Sequence, residues 1–197
     1  MLRKDDIVHE IGVDEAGRGP LAGPVTAAAV VFRPGMPLLG VADSKALSTA
    51  KRSMLEGVIK RDALAWGIGW ASVEEVDRLN ILQASLLAMR RAIAQCGIVR
   101  GIVLVDGIHC PKSGYDEWTV VKGDAKVPTI SAASILAKQA RDGEMRRLDA
   151  LHPGYGLAQH MGYPTKAHRE ALNLLGASAI HRRTFGPVRV VLAGGRA

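Results

Sequence analysis

A glycine-rich stretch near the N-terminus, residues 12–24, constrains the fold more than any other part of the sequence. It reads GVDEAGRGPLAGP and places two adjacent carboxylates and an arginine among glycines and prolines. The segment before it, residues 7–13, is rich in β-branched residues and predicts a strand that ends at the Gly/Pro cluster. Asp14 and Glu15 are therefore expected at a strand end.

Two neighbouring acids on a regular strand point to opposite faces of the sheet. Asp14 and Glu15 can serve one site only where the pleat breaks down, or if one acts through its backbone carbonyl. The glycines permit such a break and allow backbone N–H groups to approach a phosphate or a sugar, while Arg18 could bind phosphate oxygens. The alternative for a lone Asp-Glu pair is an acidic turn that simply ends a strand.

Two further acids follow apolar strands. Residues 101–105 (GIVLV) predict a central strand that ends at Asp106, and residues 117–121 (EWTVV) predict another, which is followed by Asp124. Together with Asp14, the chain places an Asp at the end of a strand three times. This repetition suggests one shared site.

Asp142 is the alternative to Asp124 as a fourth acid. It lies in the middle of a predicted helix beside Arg141, and this position favours a solvated or salt-bridged side chain. We therefore select Asp124.

The four acids form an all-oxygen set without His or Cys at metal-ligand spacing, which favours Mg²⁺ or Mn²⁺ over Zn²⁺. The chain carries a net charge of +7 and a pI near 9.7, which favours an anionic partner such as nucleic acid. In such a protein, an acidic cluster is explained by two divalent ions, about 3.5 to 4 Å apart, on either side of a scissile phosphate. The alternative is a dispersed set of turn acids.

The remaining patterns predict an α/β domain. Residues 25–32 predict a strand that forms an antiparallel hairpin with the first, and residues 64–73 a third strand in which Gly67 and Gly69 permit a close backbone approach or a bulge. Helices are predicted over residues 48–60, 74–95, 131–148 and 166–175.

No low-complexity linker divides the 197 residues, of which 48% are hydrophobic. One domain is expected over residues 1–187, with a C-terminal helical part from about residue 150, and residues 188–197 are expected to be a flexible basic tail. No apolar run is long enough for a membrane span, and the two cysteines lack metal-type spacing. These features predict a soluble cytoplasmic protein without a membrane partner.

The glycine-rich stretch closely resembles the N-terminal signature of the type 2 ribonucleases H, the ribonuclease HII family. Further matches are Asp-Ser-Lys ending at Lys45, Gly-Tyr-Pro-Thr containing Tyr163, and residues 181–188 (HRRTFGPV). The resemblance extends from residue 12 to residue 188. Val127-Pro128 replaces the family's usual small polar pair, and Pro164 stands where many members have Gly.

The resemblance implies a ribonuclease H-like fold: a mixed five-stranded sheet whose first three strands are antiparallel, with helices on both faces and a C-terminal helical segment. It implies a monomeric, metal-dependent endonuclease that hydrolyses the RNA strand of RNA/DNA hybrids. It also implies incision on the 5′ side of ribonucleotides embedded in duplex DNA, which leaves 3′-hydroxyl and 5′-phosphate ends and serves ribonucleotide excision repair.

The resemblance also implies roles for particular residues. Gly17, Arg18 and Gly19 would contact the 2′-hydroxyl of the ribonucleotide, Lys45 would lie near the phosphate, and Tyr163 would stack on the neighbouring sugar at the RNA-to-DNA junction. A 2′-hydroxyl is the group that distinguishes RNA from DNA at a given site. The catalytic and metal-binding residues would be Asp14, Glu15, Asp106 and Asp124.

An alternative from another class is a non-catalytic module that binds RNA/DNA hybrids on the same fold. Such a module is expected to have lost at least one acid. All four acids are present in this sequence.

Overall fold

The computed structural model describes residues 8–36 and 48–197. Within these residues the chain forms one five-stranded sheet and seven α-helices. The strands are β1 (His9–Ala16), β2 (Val25–Val31), β3 (Ala65–Ala71), β4 (Gly101–Asp106) and β5 (Asp116–Val120). The helices are α1 (Thr49–Asp62), α2 (Val73–Leu79), α3 (Ile81–Cys96), α4 (Pro128–Leu151), α5 (Leu157–His160), α6 (Lys166–Leu175) and α7 (Gly186–Leu192).

The sheet has the strand order β3-β2-β1-β4-β5. The first three strands pair in antiparallel fashion, as predicted, and both pairings that involve β4 are parallel. The mixed sheet with helices confirms the expected fold class. In this order β1 lies at the centre, so the glycine-rich stretch starts from the middle of the sheet.

Helices cover both faces of the sheet because successive apolar side chains along a strand point to opposite faces. On β2, Ala27 and Ala29 join the core beneath α3, whereas Ala28 and Val30 join the core formed with α1 and α4. All seven residues of β2 are buried. Burial on both faces explains why this strand is a continuous apolar run.

The first strand is longer than the sequence predicts. It continues through Ala16, so Asp14 and Glu15 pair with Ala28 and Ala27 of β2 as ordinary strand residues. The expectation that the strand ends at residue 13 is therefore wrong. The main-chain bonds to β2 explain the extension, because they carry the pairing beyond the last apolar residue.

The helix predicted over residues 74–95 is two helices, α2 and α3, separated at Asn80. This residue has φ of 69° and its side chain accepts a hydrogen bond from the N–H of Gln83 at 3.1 Å. Asn tolerates a positive φ and is a good N-cap, so it ends one helix and begins the next. The apolar spacing of three and four residues continues across the break and hides it in the sequence.

Most of α7 lies in the segment predicted as a basic tail, residues 188–197. Val188 in this helix is fully buried and packs with Leu21 and Leu172. Residues up to Leu192 are therefore helical. The proposed limits of the domain and the flexibility of the last residues stay predictions.

Among the residues that the structure describes, no helix is both long and apolar enough to cross a membrane.

The glycines of β3 allow α3 to pack closely on the sheet, which confirms the close approach predicted for them. A Cβ added to Gly69 would lie 1.9 Å from the carbonyl oxygen of Ala88 and 2.5 Å from the N of Ala92. We expect Gly69→Ala to lower the free energy of unfolding by about 1 to 3 kcal/mol, because the helix must shift. Urea unfolding measures this change.

Gly57→Ala is the matched control, since a Cβ at this position in α1 would meet nothing within 4 Å. We expect it to be neutral or to stabilise the protein by up to about 1 kcal/mol, because alanine favours a helix. Equal destabilisation by both substitutions would contradict the packing argument.

Candidate active site

The sheet brings together the four acids that the sequence selects. Strands β1 and β4 are parallel neighbours in which Val13 pairs with Val105, so Asp14 and Asp106 follow these residues at the same sheet edge. Asp124 lies in a short 3₁₀ turn, Gly123–Ala125, immediately before α4. The N–H of Gly123 donates a hydrogen bond to Asp106 Oδ1 at 2.6 Å, which holds the turn against the end of β4.

Asp14 is buried among like charges. Its side chain lies on the α4 side of β1, and the residue is only 6% exposed. Burial raises the pKa of Asp14 well above its ordinary value, and the carboxylates of Glu15, Asp106 and Asp124 raise it further, against a hydrogen bond from the N–H of Glu15. A bound cation would relieve this energetic cost.

Glu15 points toward the α3 side of the sheet but reaches the same site. Burial raises its pKa, and Arg18, whose Nη1 lies 3.3 Å from Glu15 Oε1, acts in the opposite direction. Glu15 and Arg18 line two adjacent cavities. Asp14 and Asp124 line the larger one, and Asp106 lines the smaller one. Asp14 and Glu15 thus line one cavity from opposite faces of an unbroken strand, so the break in the pleat that the sequence led us to expect is not present.

The oxygen atoms of the four candidate acids are chemically suited to bind a divalent cation. All four candidate ligands are carboxylates, the oxygen donors that Mg²⁺ and Mn²⁺ prefer. Within residues 8–36 and 48–197, however, no three His, Cys, Asp or Glu side chains come close enough together to form a complete metal-binding group. The acids interact electrostatically, but they are not arranged as a closed cage.

The larger cavity has a volume of about 420 Å³ and is lined by both acidic and basic residues. Its acidic floor is formed by Asp14, Glu15 and Asp124, and its basic residues form the walls. Its basic lining residues are Arg18, Arg52, Lys138 and Arg141. Of these four residues, the sequence predicts only Arg18 as a site residue. Helical spacing is the signal that could have identified Lys138, because α4 carries it four residues before Asp142.

Asp142 is buried and forms an ion pair with Lys138, with 2.9 Å between Oδ1 and Nζ. The salt-bridged alternative for this residue is therefore confirmed and the solvated one is wrong. The contact holds one of the basic residues at the cavity. Asp142 does not line the cavity, whereas Asp124 does.

The glycine-rich loop forms the wall of the cavity next to the acids. Gly17 has φ of +95°, and a Cβ there would lie 1.9 Å from Arg141 Nε, so glycine is required on both counts. Gly17, Arg18 and Gly19 all line the cavity. Lys45, the other predicted phosphate contact, lies outside the residues that the structure describes.

Tyr163 borders the cavity and is 41% exposed. Its ring lies close to the glycine-rich loop, since a Cβ added to Gly19 would be 3.5 Å from Tyr163 Cε1. By contrast, Tyr155 is buried and donates a hydrogen bond from its hydroxyl to the carbonyl of Gly176. Of these two tyrosines, only Tyr163 is positioned to touch a ligand in the cavity.

A chain of buried histidines supports the backbone of Tyr163. The N–H of Ser178 donates to His181 Nδ1, the Nε2 atoms of His181 and His168 are 3.2 Å apart, and His168 Nδ1 lies 3.0 Å from the carbonyl oxygen of Tyr163. These contacts fix the tautomers: His181 donates from Nε2, and His168 donates from Nδ1. Burial lowers the pKa of His168, and burial together with neighbouring histidines lowers the pKa of His181 to about 4, so both remain neutral.

Comparison with known proteins identifies the family. The family model described as Ribonuclease HII matches residues 11–188. The chain belongs to the ribonuclease HII family. A curated ribonuclease HII from Nitrosospira multiformis is 57% identical over 182 residues, which are 92% of each chain.

Solved ribonuclease H structures have the same fold. The ribonuclease H2 of Pyrococcus horikoshii OT3 is 27% identical, with a TM-score of 0.80 over 95% of this chain and 98% of that one. Bst-RNase HIII in complex with Mn²⁺ is 19% identical, with a TM-score of 0.77 over 94% of this chain and 70% of that one. The family match and the curated relative show that this chain is a ribonuclease H enzyme, and the solved structures show its fold.

The electrostatic cost of Asp14 leads to a stability prediction. In the presence of a chelator at neutral pH, we expect Asp14→Asn to raise the free energy of unfolding by about 1 kcal/mol or more, because it removes a buried charge next to other carboxylates. The amide oxygen can still accept the N–H of Glu15. Urea unfolding of both proteins between pH 4 and pH 8 measures the difference.

The sign of the pH dependence follows from the raised pKa of Asp14. The folded state binds this proton more tightly than the unfolded state, so wild type regains stability relative to the variant as the pH falls toward the ordinary value of 3.8. The variant's advantage is therefore greatest at neutral pH and disappears in acid. A wild type that is the more stable protein at neutral pH would contradict this account.

Proposed function

We propose that this ribonuclease HII is a metal-dependent endonuclease that hydrolyses the RNA strand of RNA/DNA hybrids and incises 5′ of ribonucleotides embedded in duplex DNA. The observation that carries the proposal is the cavity in which buried acids meet basic walls and the glycine-rich loop. The family's ribonuclease activity supports the same conclusion. The products would be 3′-hydroxyl and 5′-phosphate ends, and the reaction would serve ribonucleotide excision repair.

Asp14, Glu15, Asp106 and Asp124 would hold Mg²⁺ or Mn²⁺. Two such ions, when bound, would supply an activated water and would stabilise the leaving oxygen. The absence of a closed cage is consistent with this assignment, because Mg²⁺ usually keeps several waters and binds one or two carboxylates together with substrate phosphates. The burial of Asp14 and its raised pKa make an apo site of four ionised carboxylates unfavourable, and this favours cation binding.

The walls of the cavity would bind the nucleic acid. Arg18, Arg52 and Lys138 are suited to backbone phosphates, since phosphate contacts position a duplex without reading its sequence. Gly17, Arg18 and Gly19 would contact the 2′-hydroxyl, and Tyr163 would stack on the adjacent sugar at the junction. Lys45 stays a predicted phosphate contact.

The second candidate, a non-catalytic hybrid-binding module, would have no need of the acids. Like charges at a nucleic-acid site repel phosphates unless cations are bound, so a pure binding module is better served without them. We further propose a cytoplasmic monomer whose catalytic domain extends past the predicted limit of residue 187, because Val188 is buried and packs with Leu21 and Leu172.

We expect Asp106→Asn to lower the turnover number at least about a hundredfold, because the proposed metal site loses one of its four charges and with it several kcal/mol of transition-state stabilisation. The fold should be retained, since the amide oxygen can still accept the N–H of Gly123. Cleavage of a duplex with one embedded ribonucleotide measures the effect. Chelator should abolish cleavage by wild type, and Mg²⁺ or Mn²⁺ should restore it.

Asp116→Asn is the matched control, because Asp116 is an exposed acid at the opposite end of the neighbouring strand β5. Its turnover should stay within about twofold of wild type. Full activity in chelator would exclude the metal-dependent mechanism. Near-normal turnover of Asp106→Asn would show that the site is wrongly assigned.

We expect Tyr163→Ala to reduce cleavage at a single embedded ribonucleotide about tenfold more than cleavage within a long hybrid. An aromatic ring on one sugar provides positioning, and base or sugar stacking contributes about 1 to 3 kcal/mol. Repeated ribonucleotides offer many binding registers and so compensate for its loss. Parallel assays of kcat/KM on the two substrates give the ratio.

The control for this prediction is Tyr155→Phe, which removes a buried hydrogen bond at a tyrosine that is turned away from the cavity. It should lower stability by about 1 kcal/mol and leave the substrate ratio unchanged. If Tyr163→Ala lowers both activities equally, junction recognition by Tyr163 is wrong.

A further inference from the structure

Arg182 is a fully buried arginine behind the glycine-rich loop, and it does not line the cavity. Burial and the nearby Arg141 lower the pKa of Arg182 to about 9, so the guanidinium is still charged at neutral pH. A buried charge is costly unless it is compensated by hydrogen bonds or an opposite charge. The hydrogen-bond compensation here comes from carbonyl oxygens of a single loop, and the charge of Asp77 adds a favourable electrostatic interaction.

All five N–H groups of this guanidinium have an acceptor. Nη2 lies 2.7 Å from the carbonyl oxygen of Gly17, and Nη1 lies 2.9 Å from that of Arg18. The other acceptors are the carbonyls of Pro20, Gly23 and Pro24, at 2.8, 2.9 and 3.1 Å. An arginine has five N–H donors and no more, so this side chain is dedicated entirely to the loop.

The first two of these contacts fix the direction of two amides in the part of the loop that lines the cavity. In a trans peptide the N–H points opposite to the preceding C=O, and the described residues contain no cis peptide bond. Since the carbonyl of Gly17 points toward Arg182, the N–H of Arg18 points away from it. For the same reason the carbonyl of Arg18 directs the N–H of Gly19 away from the buried guanidinium. Gly17, Arg18 and Gly19 line the cavity, whereas Arg182 does not.

The main chain on either side of Arg182 keeps it in register with the loop. The N–H of Arg182 donates to the carbonyl of Leu21 at 2.8 Å, and the N–H of Gly23 donates to the carbonyl of Ile180 at 2.9 Å. The side chain therefore cannot drift relative to the carbonyls without breaking backbone hydrogen bonds as well. This anchoring is what a positioning role requires.

We propose that Arg182 is a positioning residue for ribonucleotide recognition: through the carbonyls of Gly17 and Arg18 it directs the N–H groups of Arg18 and Gly19 at the substrate. The inference rests on the proposed function, because it assumes that this loop reads a 2′-hydroxyl. It assigns to Arg182 no contact with the substrate. Its effect is on discrimination between a ribonucleotide and a deoxyribonucleotide, and not on affinity for duplex in general.

The test is Arg182→Lys, which keeps the charge but has only three donors and no planar fork. At least two carbonyls then lose their partner, and the directions of the two amides are no longer fixed. Affinity is measured in chelator, so that no cleavage occurs, for a duplex with one embedded ribonucleotide and for the same duplex made entirely of DNA. We expect the ratio of the two affinities to fall at least about tenfold, while affinity for the all-DNA duplex stays within about twofold.

Asp77→Ala is the matched control. The Asp77 carboxylate accepts hydrogen bonds from the N–H groups of Arg183 and Thr184 and from the hydroxyl of Thr184. The variant thus loosens the same segment by three hydrogen bonds without removing a partner from the loop carbonyls. It should lower the unfolding temperature and leave the affinity ratio unchanged. An equal fall of the ratio in both variants would overturn the proposal.

Retention of the wild-type affinity ratio by Arg182→Lys would also overturn it. If that variant does not fold, the amide resonances of Arg18 and Gly19 in wild type decide the question. Selective shifts with the ribonucleotide duplex, and none with the all-DNA duplex, support the proposal, because the amides that Arg182 orients through the carbonyls of Gly17 and Arg18 then read the ribonucleotide, and equal shifts refute it. If wild type itself binds both duplexes equally, the proposed ribonucleotide recognition fails first, and this result is distinct from a failure of Arg182 alone.

Discussion

The repulsion between neighbouring carboxylates is the constraint on which the candidate site depends. Burial raises the pKa of Asp14, and the parallel pairing of β1 with β4 places Asp14 beside Asp106, whose carboxylate raises it further. This arrangement stores an unfavourable interaction in the apo protein, which the core must tolerate. The folded sheet can do so because β1 is its central strand and is held by backbone hydrogen bonds on both sides. The stability of the sheet thus supports a site that is itself unfavourable.

The acidic and the basic residues that line the cavity come from different elements of secondary structure. The acids come from the sheet and from the turn before α4, whereas Lys138 and Arg141 come from the body of α4. Arg18 lies three residues after Glu15 in the sequence and forms an ion pair with it at 3.3 Å. Lys138 pairs instead with Asp142, which does not line the cavity, so this ion pair leaves the charge of the acids that line it unchanged.

Much of the fold could be predicted from local pattern, since five strands and most helices follow from runs of apolar residues. The positions of Asp14, Asp106 and Asp124 near the ends of apolar runs even predicted that they would meet. The order of the strands could not be predicted from residue pattern, because the pairing of β1 with β4 joins segments some ninety residues apart. The break at Asn80 was also hidden, because a cap with positive φ leaves the apolar spacing intact.

The buried residues that hold the loops around the cavity, Arg182 and His181, were the hardest part of the site to predict. Arg182 and His181 lie in a polar, basic stretch that looks solvent-exposed, and nothing in its pattern indicates burial. Their burial depends on acceptors that are distant in sequence: the carbonyls of residues 17 to 24 for Arg182, and His168 with its contact to Tyr163 for His181. Because backbone carbonyls carry no side-chain identity, the sequence does not show where such acceptors will be. The two loops that border the cavity are thus held by consecutive residues, and loss of order at that segment would disturb both at once.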